Sequence, residues 1–399
     1  REARPDAITM PQWFRRHGYT AISHGKIFHN PTPDPQSWSE PIRQLTGVKQ
    51  GYPNDVENII RSVQAKLPAE DWRKNNLRGP ATAAPVIDDH LLVDGARTDL
   101  VIDDLARLNQ SEQPFFLAMG LYAPHFPNYC PQKYFDLYKR NEIKLPPYKA
   151  DDLDDLPENI RRQKINRSRI HQRLVKLGAV QEALHGYLAC MSYADAQIGR
   201  VLDALDAGPN ADNTIIVLWS DHGWHLGEKN HWHKSTLWEE ATRVPLVIHS
   251  PDHKPATCRH PVSLVDLYPT LNELCDLKPS GKLDGVSLVP LLANPNAEWN
   301  RPALIEYQLG NAAVRSRKWR YIRYKDGGEE LYNHNTDPKE WNNLASDPKY
   351  IEVKQRLGKW LPKNWAKPAP TKSAFTFNPN NYSWTHKKTG KVLQGAKPQ

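Results

Sequence analysis

Three polar clusters in this sequence carry residues able to do acid–base or metal chemistry, and each follows an apolar run. Lys26 and His29 come after residues 19–22, Ala123-Pro124-His125-Phe126-Pro127 after residues 114–119, and Ser220-Asp221-His222-Gly223-Trp224 after residues 214–219. In open α/β sheets ligands bind beyond the carboxyl ends of the strands, so this recurrence points to one shared site. A single histidine among prolines is ordinarily a loop residue; the same pattern at three strand ends is harder to read that way. Asp221 and His222 are adjacent at a sharp turn, where both side chains can reach one metal ion. A carboxylate with an imidazole suits zinc, whereas calcium takes about 6–8 oxygen ligands. Lys234, with His231 and His233 beside it, adds positive charge from the same loop. A metal together with Lys26, Lys234 and several histidines makes an electropositive cavity. Such a cavity suits a tetrahedral oxyanion, sulfate or phosphate, whose transition-state charge needs stabilising.

The elements that position these clusters alternate between helices and buried strands. Residues 9–18 read as a short helix capped by Thr9, with Pro11 in its first turn and Gly18 at its end. Strands are expected at 19–22, 114–119, 214–219 and 244–248, the apolar runs being of the kind buried on both faces. Leu184, Leu188, Met191, Ile198, Val201, Leu202 and Leu205 recur near helical spacing and predict the longest helix, ended by Gly208-Pro209. Asp266 is expected to cap a helix running to Cys275. The pattern predicts an α/β fold, a doubly wound and mostly parallel sheet flanked by helices. From about residue 300 alternation replaces it: residues 319–324, a turn at Asp326-Gly327-Gly328 and residues 330–332 form a hairpin in a small antiparallel subdomain. The expected organisation is an α/β catalytic domain over 1–300, the antiparallel subdomain over 301–362 and an extended tail over 363–399.

Composition narrows the class. The chain has 399 residues, 39% hydrophobic and 25% charged, which excludes disorder for most of it, and its 34 prolines argue for long, turn-rich connections. No run approaches the roughly 20 apolar residues of a membrane span. A net charge of +8 favours anionic partners, yet the sequence has none of the motifs of a nucleic-acid module. The partner class is an anionic small or polymeric ligand. The 13 tryptophans read first as core aromatics and second as sugar-stacking platforms. Cys130, Cys190, Cys258 and Cys275 show no metal-type pairing and no dense disulfide framework. The first residues contain neither an initiator methionine nor an apolar signal core, and read as a chain entered midway.

Together these residues resemble a family. Gly25-Lys26, Pro124-His125, Ser220-Asp221-His222-Gly223 and Lys234, followed by residues 264–271, Leu283-Asp284-Gly285 and Glu330-Leu331-Tyr332 with Asp337-Pro338, occur in the order seen in the type I sulfatases of the alkaline-phosphatase superfamily. Within it, Gly25-Lys26-Ile27-Phe28-His29, residues 37–41, residues 220–228 and residues 242–246 look most like the iduronate-2-sulfatase branch. The resemblance implies a sulfuric ester hydrolase acting on a sulfated, acidic sugar of the glycosaminoglycan type. It implies Asp221 and His222 as ligands of a divalent metal, normally Ca2+, with Lys26, His125 and Lys234 on the sulfate and its leaving oxygen, and His29 and Trp224 lining the sugar pocket. It also implies export, to the periplasm, outside the cell or to a lysosome-like compartment.

One departure is serious. These enzymes use a Cys or Ser of a C/S-x-P-x-R motif, oxidised to formylglycine, and an Asp-Asp pair on the first strand; both precede the Gly-Lys segment, and this sequence begins just before it. None of the four cysteines opens such a motif. Ser39-Glu40-Pro41-Ile42-Arg43 does match, but it follows Lys26, and a loop on the substrate side is the preferred reading. By the resemblance, an upstream segment would supply a central strand and two metal carboxylates, so the expectation is that the 399-residue chain alone is inactive, binds calcium weakly and aggregates. The alternatives are a phosphomonoesterase or phosphodiesterase of the same superfamily, and a non-catalytic relative that binds sulfated glycans. The sequence leaves the oligomeric state open.

Overall fold

The computed structural model describes residues 7–28, 34–41, 43, 45, 48–49, 52–53, 58, 60–62, 65, 81–167, 169–279, 281–366, 374–378, 381 and 383–394. Two compact units divide the chain: Arg1–Lys144 with Leu177–Asn213 and Ala369–Gln399, and Leu145–Lys176 with Thr214–Pro368.

In the first unit, helix α1 (Met10–Arg16) starts where Thr9 Oγ1 accepts the Gln12 N–H at 3.3 Å. Strand β1 (Thr20–Gly25) pairs in parallel with β2 (Phe115–Gly120), in register from Thr20 opposite Phe115 to Gly25 opposite Gly120. Gly25 has φ +84°, and a Cβ there would lie 1.9 Å from the Gly120 carbonyl oxygen, so only glycine permits this close approach. Helices α2 (Val93–Leu108) and α3 (Val180–Asp206) pack on each other. The buried face of α3 keeps Leu184 and Leu205 of the expected leucine stripe but is otherwise built from other residues. Met191 is 47% exposed, while Ala183, Gly186, Ala189, Cys190 and Tyr193 are buried. Small residues are needed there because neighbouring side chains come close: a Cβ on Gly186 would sit 2.3 Å from Thr82 Cγ2 and 3.2 Å from Asn128 Cβ. Beneath β1, Asp104 takes His24 Nε2 at 2.5 Å, Arg43 Nη2 at 2.6 Å and Arg107 Nη2 at 3.1 Å. Burial pushes this carboxyl upward, but hydrogen bonds from His24, Arg43 and Arg107 and the charge of Arg43 outweigh it and hold it far below the usual range. The segment expected to be an extended tail instead carries three short antiparallel strands, Phe375–Asn378, Ser383–His386 and Val392–Gln394.

In the second unit, β3 (Ile216–Trp219) and β4 (Leu246–His249) run antiparallel, where alternation with helices suggested parallel strands. The reason is the connection: its only α-helix is the four residues Glu239–Thr242, too short for a crossover, so the chain returns along the strand it left. Helix α4 (Leu267–Leu274) follows Asp266 as expected, but the Asp266 carboxylate accepts the N–H groups of Ser263 (2.8 Å) and Val286 (2.9 Å) and does not cap α4. The expected antiparallel subdomain is a four-stranded sheet, β5 (Ala303–Glu306), β6 (Ala312–Arg315), β7 (Trp319–Arg323) and β8 (Glu329–Asn333), each paired with the next. Alternate residues bury both faces, Ala313, Ile322 and Tyr332 on one and Val314, Tyr321 and Leu331 on the other.

A charge network crosses this unit. Arg320, 1% exposed, pairs with Glu239 and, through Nε at 2.5 Å, with Glu340, and it donates to Leu237 O at 2.8 Å. Arg315 Nε adds a 2.9 Å bond to Glu239, and His334 Nε2 a 2.8 Å bond to Glu340. Burial raises the Glu239 carboxyl, but Arg320 and Arg315 prevail and bring it down to about 2. A depressed carboxyl adds stability that is complete above its unfolded value of about 4.3 and is lost as pH falls through its folded value. Glu239→Gln is therefore expected to flatten the loss of urea stability between pH 5 and pH 2, by about those limits. Arg320→Met strands two buried carboxylates and is expected to cost about 3–5 kcal/mol in the same assay at neutral pH.

Candidate active site

The first unit supplies Lys26 and His125. Beyond the last register pair, the Lys26 N–H donates to Gly120 O at 3.0 Å, so Lys26 leaves β1 at the carboxyl edge from which the loop after β2 also departs. In that loop the His125 N–H donates to Tyr122 O (3.0 Å), and its ring packs against that of Tyr122 with centroids 5.1 Å apart and planes tilted by 51°. His125 Nδ1 lies 2.7 Å from Phe126 O, so that nitrogen carries a proton and donates it to the carbonyl. His29 lies outside the described residues. Ser39 is used structurally: its Oγ accepts the Ala21 N–H at 2.9 Å and its own N–H donates to Ala21 O at 2.8 Å.

The second unit brings Asp221, His222, Trp224 and Lys234 together. The turn after β3 is closed by Ser220 Oγ donating to His222 O (2.8 Å) and by the Gly223 N–H donating to Ala241 O (2.9 Å). A Cβ on Gly223 would stand 2.1 Å from Glu240 O, so the turn requires glycine. His222 Nδ1 donates to Gly223 O at 3.0 Å, leaving Nε2 as an acceptor. That nitrogen lies 3.3 Å from Asp221 Oδ1 and 2.8 Å from Lys234 Nζ. A carboxylate oxygen and an imidazole lone pair at this separation suit two ligands of one divalent ion. Trp224, 9% exposed, has its ring 4.9 Å from that of His233 and 5.9 Å from Lys234 Nζ. His231 Nε2 donates to Lys234 O at 3.1 Å, so His231 holds the lysine's backbone in place.

The loop that carries Lys234 is strained. Lys229, Asn230, His233 and Ser235 all have φ between 52° and 80°, a region costly to non-glycine residues. What holds it is a residue that sequence reading passed over. Lys229 is 3% exposed; its Nζ pairs with Asp152 Oδ1 at 2.8 Å, bonds Glu340 O and lies 4.9 Å from the Tyr332 ring centroid. In the sequence it is one lysine after a glutamate, with no sign of burial. Asp94, also passed over, accepts the backbone N–H groups of Tyr122 and Ala123. Glu239, His334 and Glu340 also form a cluster of metal-ligand type, their donor atoms within 4.8 Å of one another. Arg315 and Arg320 already neutralise those carboxylates, so the cluster is an ion network.

The sulfatase family profile matches residues 4–277, and a second profile, the C-terminal region of N-sulphoglucosamine sulphohydrolase, matches residues 227–367. The chain is 37% identical to a sulfatase of Formosa agariphila across 95% of its own length and 73% of that protein's. It is 35% identical to the iduronate 2-sulfatase of Mus musculus across 61% of its own length and 45% of that protein's. Among solved structures, the phosphonate monoester hydrolase of Silicibacter pomeroyi superimposes with a TM-score of 0.68 at 19% identity, covering 90% of this chain and 80% of the other. The chain belongs to the sulfatase family, a class of sulfuric ester hydrolases with an α/β fold. No helix among the described residues is long and apolar enough to cross a membrane.

Lys229→Met leaves Asp152, already pushed upward by burial and pulled back by Lys229, without its cation. The expected loss in chemical unfolding is about 3–5 kcal/mol. A carboxyl whose folded value lies above its unfolded one stabilises less as pH rises, so the deficit should grow as pH climbs above the unfolded carboxylate value of about 4.

Proposed function

We propose that the protein removes sulfate from a sulfated, acidic sugar, in the manner of an iduronate-2-sulfatase acting on glycosaminoglycan-type substrates. The observation that carries this reading is the meeting of Asp221 Oδ1, His222 Nε2 and Lys234 Nζ within 3.3 Å steps. This set pairs metal donors with a cation able to neutralise an oxyanion. Asp221 and His222 would hold a divalent ion, calcium by family resemblance, which supplies positive charge to the sulfate oxygens when bound. By the family resemblance, Lys26 would be a second cation on the sulfate, and His125 or Lys234 would give a proton to the leaving alcohol oxygen as the S–O bond breaks, the donor being reprotonated from solvent. The same resemblance assigns the sugar pocket to Trp224 and to His29, which lies outside the described residues. The nucleophile by resemblance is a formylglycine, and Ser39, bonded on both sides to Ala21, is not its precursor. The same resemblance supports an exported enzyme.

A second reading, hydrolysis of phosphate or phosphonate esters, draws on the fold shared with the phosphonate monoester hydrolase, since a cationic metal site serves either tetrahedral anion.

A panel of matched sugar sulfates and phosphates, tested on the protein in its natural length, separates the two. Sulfate esters should turn over at least about 10²-fold faster, and Asp221→Ala should abolish that turnover. Faster phosphate turnover would overturn the sulfatase reading. Peptide mass spectrometry should find Ser39 as unmodified serine even with a formylglycine-generating maturase present.

A further inference from the structure

Asp94 is a buried carboxylate whose main partners are the backbone of a loop. It lies in the first turn of α2 and is 4% exposed. Both its oxygens are 2.9 Å from the Tyr122 N–H nitrogen, and Oδ2 is 2.7 Å from that of Ala123. The nearest cation, Arg97 Nη1, stands 3.9 Å away, beyond hydrogen-bond range. Burying a carboxylate is costly unless its lone pairs are taken up, and charge-assisted bonds to N–H groups are about twice as strong as neutral ones. Burial pushes the Asp94 carboxyl up, and the two amides and Arg97 pull it back.

Asp94 is itself held rigidly. The adjoining Gly95 N–H donates to Tyr193 Oη at 2.7 Å, and a Cβ on Gly95 would fall 2.0 Å from Asp89 O. From this anchor the bonds run to Tyr122 and Ala123, then from Tyr122 O to the His125 N–H, while the Tyr122 ring packs against the imidazole at a tilt of 51°. Asp94, Tyr122, His125 and Tyr193 line a single cleft in the first unit.

We propose that Asp94 is a positioning residue: its carboxylate fixes the loop that presents the His125 imidazole for proton transfer to the leaving oxygen. The proposal rests on the reading of His125 as that acid. A displacement of about 1 Å at such a group can cost on the order of 10²-fold in rate.

The test uses the natural-length protein and two sulfate monoesters, 4-nitrophenyl sulfate, whose leaving group needs little protonation, and an alkyl sulfate, whose leaving group needs it. Asp94→Asn keeps the size but sets an amide NH2 against a backbone N–H. It should lower kcat by at least about 10-fold for the alkyl ester and about 3-fold or less for the aryl ester, with KM nearly unchanged. His125→Ala should show the same selectivity more strongly. Asp94→Glu, which keeps the charge, should recover part of the loss, and it carries the test if Asp94→Asn does not fold. An equal loss on both esters in the Asp94 variants, or none, with His125→Ala still selective, overturns the positioning role. An unselective His125→Ala overturns the assignment of His125 itself.

Discussion

A buried ammonium holds the second unit's polar loop in a shape its own backbone resists. Lys229 sits among four non-glycine residues with positive φ, and its ion pair with Asp152, its bond to Glu340 O and the Tyr332 ring all fix it. A lysine this deep persists only when paired and hydrogen-bonded. Because it is, the chain can turn sharply enough to return Lys234 to within 2.8 Å of His222, twelve residues earlier. The antiparallel pairing of β3 and β4 serves the same end, since both ends of the loop lie at one sheet edge.

Buried carboxylates in this protein divide by what neutralises them. Asp104 and Glu239 face several cationic side chains and are pulled below their ordinary values despite burial. Asp94 and Asp152 are pushed up, the first with backbone amides as its main partners and the second with Lys229 as its bonded cation and Lys149 farther off. The low pair brace the framework under β1 and against the sheet β5–β8. The raised pair hold the two loops that present His125 and Lys234. Desolvation acts on all four, and the number of charges opposed to it decides the direction.

The strand-end clusters were legible because they obey a local rule: apolar run, then polar turn. β1, β2, β3 and the hairpin of β7 and β8 lie within a few residues of where alternation and apolar runs set them. The adjacency of Asp221 and His222, and the motif order that identifies the family, are properties of the chain alone. Thr9 and Gly18 bound α1 for reasons of capping and φ that a sequence displays directly.

Other features depend on which distant segment arrives. Met191 is exposed and Gly186 buried because Thr82 approaches α3 at one point of its circumference, and helical spacing cannot say where. Asp266 serves Ser263 and Val286, about twenty residues apart in the chain, instead of the helix it precedes. Ser39 matches a nucleophile motif in composition, yet its hydroxyl accepts the Ala21 N–H and its own N–H donates to Ala21 O, tying it to β1. Lys229 and Asp94 look like ordinary surface charges until Asp152 and the Tyr122–Ala123 backbone close on them. The sequence by itself determined the residue types, their order and the family. Tertiary structure decided which charges are buried and against what, because desolvation and pairing depend on neighbours in space rather than along the chain.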